Sequence, residues 1–439
     1  MENANLKKLH TVTLDAGKCM GCGSCLKRCP TEAIRIHDGK ASIIYDKCVA
    51  CGECVRICKA QAKIPSYDKL EIINNYKYKI ALIPPSFYGQ FNNVANINFV
   101  LTALKTLGFD FVFEVGVGAE LVSQITQKLV AAGKLKKPII STACPAVLEL
   151  INERFENLKP NLLPLLPPVD VAAKLARERA VTHHGVDEND VGVFFVSPCP
   201  AKVYSLKSKQ MVSKKYVDGV ISVAEVYMAL LPAIAKLNES KNLSEMGVLG
   251  LQWASSGGEA AGVMCEKYLA ADGIENVIDI LERLENGTMT DVEFVELNAC
   301  IGGCVGGVLN VENPFVAKAR IRQLRKKFPA VGNTLSEIDK PLEFYLVERP
   351  LDEDNQSFDN NRQIAFEKLM EIQRLYQTLP LLNCGLCGAP SCRAFYCHCC
   401  DPFIAGQTVL AGTRPITTSS QKARQLGAPH NPQLSSGNV

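Results

Sequence analysis

Short apolar runs alternate with stretches of helical spacing through the middle of the chain. Residues 79–84 (KIALIP), 110–114 (DFVFE), 138–141 (PIIS) and 191–197 (VGVFFVS) are rich in Val, Ile and Phe and have the length of strands. The intervening segments 120–133 and 222–237 repeat their apolar residues at helical intervals, which predicts helices there. Strands alternating with helices argue for parallel sheets with crossover helices. Sites in such folds lie beyond the carboxyl ends of strands. Cys144 follows PIIS and Cys199 follows VFFVS, so both are placed to hold a cofactor.

The two ends of the chain read differently. The first 66 residues carry closely spaced cysteines and close on the Lys63, Ile64, Pro65, Ser66 stretch. A polar, acidic segment at 351–361 (LDEDNQSFDNN) predicts a linker, and Ile364, Leu369, Ile372 and Leu375 predict a helix over 362–377. Beyond about residue 401 the composition turns to Gly, Thr, Ser, Gln and Pro without periodicity, the pattern of a disordered tail. The expected division is 1–66, 67–345, a linker and helix at 346–377, a small cysteine unit at 378–400, and the tail at 401–439.

At 439 residues and 47% hydrophobic, the chain has ample apolar surface for more than one domain. A net charge of +3 without a long basic run gives no electrostatic case for nucleic acid or an anionic membrane. The cluster Arg320, Arg322, Arg325, Lys326 and Lys327 reads as the solvated face of a helix. The opening MENANLKKLH has no apolar core of signal-peptide length, and VYMALLPAIA at 226–235 is too short to span a membrane, so a cytoplasmic protein is expected. In that compartment nineteen cysteines are better explained as thiolate ligands than as disulfides, and exposed thiolates imply oxygen sensitivity.

The cysteine spacing is specific. Cys19, Cys22, Cys25 and Cys29 followed by Pro30 form a C-x2-C-x2-C-x3-C-P run, and Cys48, Cys51, Cys54 and Cys58 repeat it 29 residues later, with Lys59 in place of the proline. Zinc motifs lack the third cysteine at this spacing, and disulfide frameworks belong to secreted chains. The duplicated run predicts a ferredoxin domain with two 4Fe-4S clusters, in which the fourth cysteine of each run ligates the other cluster. Cys19, Cys22, Cys25 and Cys58 are assigned to one cube, and Cys48, Cys51, Cys54 and Cys29 to the second. Four further cysteines come from three places: Cys144 in STACPAV, Cys199 in SPCPAK, and Cys300 with Cys304 in ELNACIGGCVGG. Each stands in a Pro- or Gly-punctuated loop, and together they could hold another 4Fe-4S cluster, with Gly302, Gly303, Gly306 and Gly307 letting backbone approach it closely. Any one alone could equally be a buried structural cysteine.

These three stretches resemble the signature segments of iron-iron hydrogenases, which in catalytic members read roughly TSCCP, MPC-x-x-K and E-x-M-x-C-x-GGC-x-x-GGGQ. The resemblance implies that Cys144, Cys199, Cys300 and Cys304 hold the 4Fe-4S part of an H-cluster, with Cys304 bridging to a two-iron subsite carrying CO, cyanide and azadithiolate. Lys202 matches the lysine that hydrogen-bonds a cyanide ligand. Ala143 stands where catalytic members have the cysteine that passes protons to the azadithiolate, and a methyl group relays no proton. Asn298 and Ser197 replace methionines beside the two-iron site, Ser205 stands where a glutamate is usual, and Gly307, Val308, Leu309, Asn310 replace the GGGQ end. A rough alignment puts Ile125, Thr126 and Leu129 where the usual proton route has glutamates. A retained cofactor shell with a lost proton path resembles the sensory branch of the family.

At the other end Cys384, Cys387 and Cys392 in NCGLCGAPSC resemble the small 4Fe-4S domain of such members, with Cys397, Cys399 and Cys400 crowding close behind. Cys265 reads as a buried core residue. His183 and His184 fall in a polar loop, His10, His37 and His430 read as surface residues, and His398 is a weak candidate ligand. The Ser255, Ser256, Gly257, Gly258, Glu259 turn fits either a helix cap or a loop near the family's cofactor cavity. The resemblance thus implies a low-activity hydrogenase of sensory type that handles dihydrogen and protons, exchanges electrons with a carrier such as ferredoxin, and reports to a signalling protein. The alternative is an iron-sulfur assembly or electron-transfer protein without the two-iron site.

Overall fold

The computed structural model describes residues 10–92, 96–212, 216–330, 339–347, 370, 373–374, 376–377 and 381–394. Its first strands, β1 (Val12–Leu14), β2 (Ile34–His37), β3 (Lys40–Ile43) and β4 (Lys63–Pro65), form two antiparallel pairs, β1 with β4 and β2 with β3. The duplication seen in the cysteines is also written in the backbone. Left-handed conformations recur at Gly21 and Ala50, at Gly23 and Gly52, and at Glu32 and Gln61, each pair separated by the repeat length. Gly23 and Gly52 each cap the short helix that carries the third cysteine of its run, Ser24–Lys27 and Glu53–Ile57. Lys59 in place of Pro30 leaves the turn intact, because Glu32 N bonds Cys29 O at 3.2 Å and Gln61 N bonds Cys58 O at 2.9 Å.

The apolar runs of the middle segment fold as the sequence predicts. They become β5 (Tyr78–Ile83), β6 (Phe111–Glu114), β7 (Ile139–Ile140) and β8 (Val191–Ser197), and the chain adds β9 (Gly219–Ser222), β10 (Tyr268–Asp272) and β11 (Phe294–Asn298). All pair in parallel, in a four-stranded sheet ordered β6-β5-β8-β9 and a three-stranded sheet ordered β10-β11-β7. β8 is buried along its whole length, as a central parallel strand covered by helices on both faces should be. Each sheet has its own apolar core, one around Ile80, Leu82, Phe194 and Phe195, the other around Ile140, Leu150, Val277 and Val295.

The helix Val115–Ala132 leaves β6 directly and stops at Gly133 in the left-handed conformation. Its first nine residues are buried on every side, and beyond them burial narrows to Thr126 on one face. Glycines permit that depth. A methyl group on Gly118 would stand 2.5 Å from Pro168 O, and one on Gly250, in the helix Val248–Gln252, would stand 2.4 Å from Gly116 O. Buried carboxylates then pin the loops that follow. Glu114 accepts from Tyr88 Oη at 2.7 Å and Glu245 N at 2.7 Å, and Glu120 accepts from Gly247 N at 2.8 Å and Gly250 N at 3.0 Å.

The helix Pro314–Leu324 corrects the reading of its basic cluster. Arg320 is anchored to Gly89 O and Gln90 O, both at 3.2 Å, and pairs with Glu312 at 2.7 Å, while Arg322, Arg325 and Lys326 are exposed. Residues 1–354 form one unit and 355–439 a second. In the second, Met370, Gln373, Arg374 and Tyr376 are helical, in accord with the helix expected over 362–377, and Leu381–Ala394 is mostly loop. The linker at 351–361 and the tail at 401–439 lie outside the described residues. No helix among the described residues is long and apolar enough to cross a membrane. Gly250→Ala sets a methyl group against backbone that cannot rotate away, and about 1–3 kcal/mol of destabilisation is expected from such overpacking. A lowered thermal midpoint by circular dichroism checks it.

Candidate metal centres

The structure brings the cysteines of the duplicated run into two groups that exchange their fourth members. Burial pushes the Cys25 thiol up, Lys63 pulls it down, and the neighbouring sulfurs of Cys19, Cys22 and Cys58 push it up again. Burial drives Cys51 well above its ordinary value, opposed by the backbone at Glu53 and reinforced by Cys54, Cys29 and Cys48. Backbone N–H groups aim at the sulfurs in a repeated pattern: Ala33 N to Cys29 and Ala62 N to Cys58, both at 3.2 Å, with Ala41 N to Cys19 at 3.4 Å. Cys22 is exposed, whereas burial raises Cys48, against the backbone at Ala50, to about 12. The first group therefore reaches the surface at Cys22, whereas no cysteine of the second is fully exposed. Among the described residues no three donors are close enough to share one metal ion, and in a cube each thiolate binds a different iron.

The remaining four cysteines converge from both sheets. Cys144 follows β7, and Cys300 and Cys304 follow β11, its neighbour in the three-stranded sheet; Cys199 follows β8 of the other sheet. Cys144 is the N-cap of the helix Pro145–Arg154 and Cys199 directly precedes the helix Pro200–Val212, so two helix N-termini favour the thiolates. Burial pushes Cys199 up to about 11, Lys202 opposes the rise, and Cys304 and Cys144 add to it. Burial alone would lower Lys202, but Cys304, Cys199 and Cys144 outweigh it, and its Nζ donates to Cys304 Sγ at 3.4 Å. Three of the four glycines are also required by packing within the protein. Methyl groups on Gly303, Gly306 and Gly307 would strike Ser256 N, Ile301 O and Pro198 O, so these residues let the loop pack against protein backbone.

A cavity opens beside Cys304, walled by Ser86, Ala143, Phe195, Pro198, Lys202, Trp253, Glu259, Glu296 and Asn298. Ala143 and Asn298 stand at this wall as the sequence suggested. Ser197 does not, because its hydroxyl turns back to Cys199 O at 2.9 Å. Val115 and Ala119 are the cavity residues of the Val115–Ala132 helix, and the Thr126 hydroxyl bonds Val122 O at 2.8 Å within that helix. The residues present fit a group with hydrogen-bond acceptors: Ser86 Oγ and Ser255 Oγ are buried without a protein partner, next to a donor set of four thiolates.

The carboxylates of this wall were missed in the sequence, where Glu259 was read only as part of a turn. Glu296 accepts from Gly257 N at 3.0 Å, Ala260 N at 2.9 Å and Asn298 Nδ2 at 2.8 Å. Glu259 has the Ser141 hydroxyl at 2.6 Å. Burial, then the neighbouring Glu296, push Glu259 up to about 8. Burial raises Glu296 as well, but the N–H groups of Ala260 and Gly257 and the Asn298 amide oppose the rise, whereas Glu259 has only the Ser141 hydroxyl to oppose it in this way.

A model of the iron only hydrogenase large subunit, C-terminal domain, matches residues 77–265 and 234–308, over half of the chain, and a 4Fe-4S dicluster domain matches 11–59. The chain belongs to the iron-only hydrogenase family. It is 27% identical over 408 residues to the periplasmic [Fe] hydrogenase large subunit of Nitratidesulfovibrio vulgaris, covering 76% of this chain and 94% of that one. Iron hydrogenase 1 of Clostridium pasteurianum is 24% identical over 394 residues, 73% of this chain and 68% of that one. The cytosolic Fe-S cluster assembly factor NAR1 of Yarrowia lipolytica is 22% identical over 282 residues, 60% of this chain and 55% of that one.

Other sequence candidates fall as follows. Cys384 and Cys387 are exposed and Cys392 partly so, while Cys397, Cys399, Cys400, His398 and His430 lie outside the described residues. Cys265 is half-buried, 3.9 Å from Glu293, rather than in the core. His10 is buried, not on the surface: its Nε2 meets Cys48 O at 3.2 Å between the rings of Tyr45 and Tyr204. His37, His183 and His184 are exposed as expected.

Cys58→Ser is expected to remove one cube's iron together with the signal of the Cys19, Cys22, Cys25 group, sparing that of Cys48, Cys51 and Cys54; iron analysis with electron paramagnetic resonance separates the two. For Glu259, the folded protein holds a proton between pH 4.5 and about 8 that the unfolded chain releases near 4.5. Stability therefore falls as pH rises through that window, and above it the penalty is fully present. Glu259→Gln should flatten this part of the pH dependence of the thermal midpoint.

Proposed function

We propose that this protein binds dihydrogen reversibly at an H-cluster held by Cys144, Cys199, Cys300 and Cys304, turns it over slowly, and passes the redox state on as a signal. The observation that carries this reading is the cavity beside Cys304, complete in its donors but with the methyl group of Ala143 and the carboxyl of Glu259 at its wall. The group supplies, when bound, the metal at which dihydrogen is split and formed. Lys202 holds positive charge against Cys304 and has no proton to spare at neutral pH. Ala143 offers no relay. The proton is held at a Glu259 carboxyl oxygen, beside the Ser141 hydroxyl that also accepts Ala143 N at 3.2 Å. A carboxyl raised to about 8 is matched to proton exchange near neutrality, and Glu296, fixed beside it by its backbone donors, contributes to the rise.

Electrons travel the other way along the chain. The exposed Cys22 group faces a carrier, and the inner group abuts the active cysteines, since Ala50 and Cys51 pack in one buried cluster with Cys144, Cys199 and Ala201. Cys384, Cys387 and Cys392 hold three of the ligands of a further 4Fe-4S cluster through which a signalling protein is reached. Likeness to the yeast assembly factor keeps a second reading, a cluster protein without the two-iron subsite. The unpartnered Ser86 hydroxyl inside the cavity favours the loaded site.

Carbon monoxide and cyanide stretching bands are expected in the infrared after maturation with a synthetic two-iron complex, and their absence leaves the second reading. In the loaded protein Ala143→Cys should raise turnover on the order of tenfold, a partial gain. Glu259→Gln should lower turnover on the order of a hundredfold with the bands unmoved. Undiminished turnover in Glu259→Gln refutes the role given to that carboxyl.

A further inference from the structure

The ferredoxin segment and the active cysteines meet at one arginine. Arg56 lies on the helix Glu53–Ile57, two residues after Cys54 and two before Cys58. Its Nη2 donates to Gly306 O at 2.7 Å and its Nε to Glu53 Oε2 at 3.2 Å. Gly306 closes the turn Cys304–Gly306, so the arginine grips the strand of chain that presents Cys304. The loop before it is pressed onto the same region, since a methyl group on Gly52 would stand 2.8 Å from Val308 Cγ2 and 3.3 Å from Pro200. Glu53 is buried and shared, for Arg28 also reaches it at 3.3 Å before pairing with Glu275 at 2.5 Å.

Charge points the same way. The Arg56 side chain leaves the helix that carries Cys54 and ends on the turn that begins at Cys304, so its guanidinium stands between the two cysteine groups. A guanidinium stays protonated, so this positive charge is permanent. Reducing an iron-sulfur cluster adds negative charge, which a fixed nearby cation stabilises.

We propose that Arg56 is a positioning residue for electron transfer, clamping the Cys304 turn to the ferredoxin helix and raising the reduction potentials of the two cubes on either side of it. The proposal rests on the reading that Cys29, Cys48, Cys51 and Cys54 hold one cube and Cys144, Cys199, Cys300 and Cys304 another. The electron that one cube loses the other gains; no bond forms, no proton moves, and the arginine is unchanged.

The test is a dithionite titration of the full chain, loaded anaerobically with iron and sulfide and lacking the two-iron subsite, followed by electron paramagnetic resonance. In Arg56→Gln, one-electron reduction of both inner cubes should become about tenfold less favourable, about 59 mV lower, with parental iron content. Arg56→Lys, which keeps the charge, should hold most of the parental potential. Glu53→Gln, which removes the counter-charge and leaves the arginine, should shift the potentials the other way and guards against a Gln variant that loses iron. Parental potentials in both Arg56→Gln and Glu53→Gln overturn the proposal. Parent protein without the iron of these cubes refutes the cluster reading itself, and the proposal with it.

Discussion

Four thiolates gathered in a buried wall repel one another, and most of what surrounds them makes that negative charge tolerable. Burial and the neighbouring sulfurs raise Cys199 and Cys300, and Lys202 and Arg56 respectively oppose the rise. Compensation comes from several directions. Lys202 donates to Cys304, two helices begin at Cys144 and Cys199, and Arg56 stands beside Cys300. The two sheets serve the same end, since strands from both must finish at one point for the four cysteines to meet at all.

Buried acids divide by how many donors they have. Glu114, Glu120 and Glu296 each accept two or more hydrogen bonds from backbone N–H groups, and each fixes a loop near the cavity. Each stands on a strand or helix, and the N–H groups it accepts from belong to neighbouring loop or helix-start residues, so such carboxylates exchange hydration for fixed dipoles. Glu259 has the Ser141 hydroxyl as its partner and Glu296 beside it, and burial with that neighbour pushes it up to about 8. The same residue type therefore fixes backbone at three places and at the fourth is left with a single hydroxyl partner.

Much of this was legible in the sequence, and the exceptions have physical causes. Cysteine spacing encodes a local loop geometry, so both runs could be read directly, and even the left-handed positions repeat with them. β5, β6, β7 and β8 announce themselves by uniform apolar runs, whereas β10 is an edge strand with partly exposed residues and β11 carries Glu296 and Asn298 within it. Glu259 and Glu296 are 37 positions apart and meet only because β11 and the helix Gly258–Val263 pack together, a contact no local pattern reports. His10 escaped for the same reason: its burial depends on Tyr204, far along the chain. The glycines around Cys304 were recognised as a site of close approach, but what they approach is decided by tertiary packing.

Electrons and protons reach the cavity by routes in very different condition. The electron side is assembled throughout: the repeat keeps every cysteine, the N–H···S contacts of the two runs match, and Cys51 packs with Cys144 and Cys199 in one core. On the proton side the methyl group of Ala143 stands at the cavity wall, and Glu259, beside Glu296, is pushed up to about 8. A relay works only at the speed of its slowest link, whereas electron transfer between packed clusters needs no atom to move. On the function proposed above, a site so built would exchange electrons with its carriers more readily than protons, and its oxidation state would then follow what is bound in the cavity, as a reporter's would.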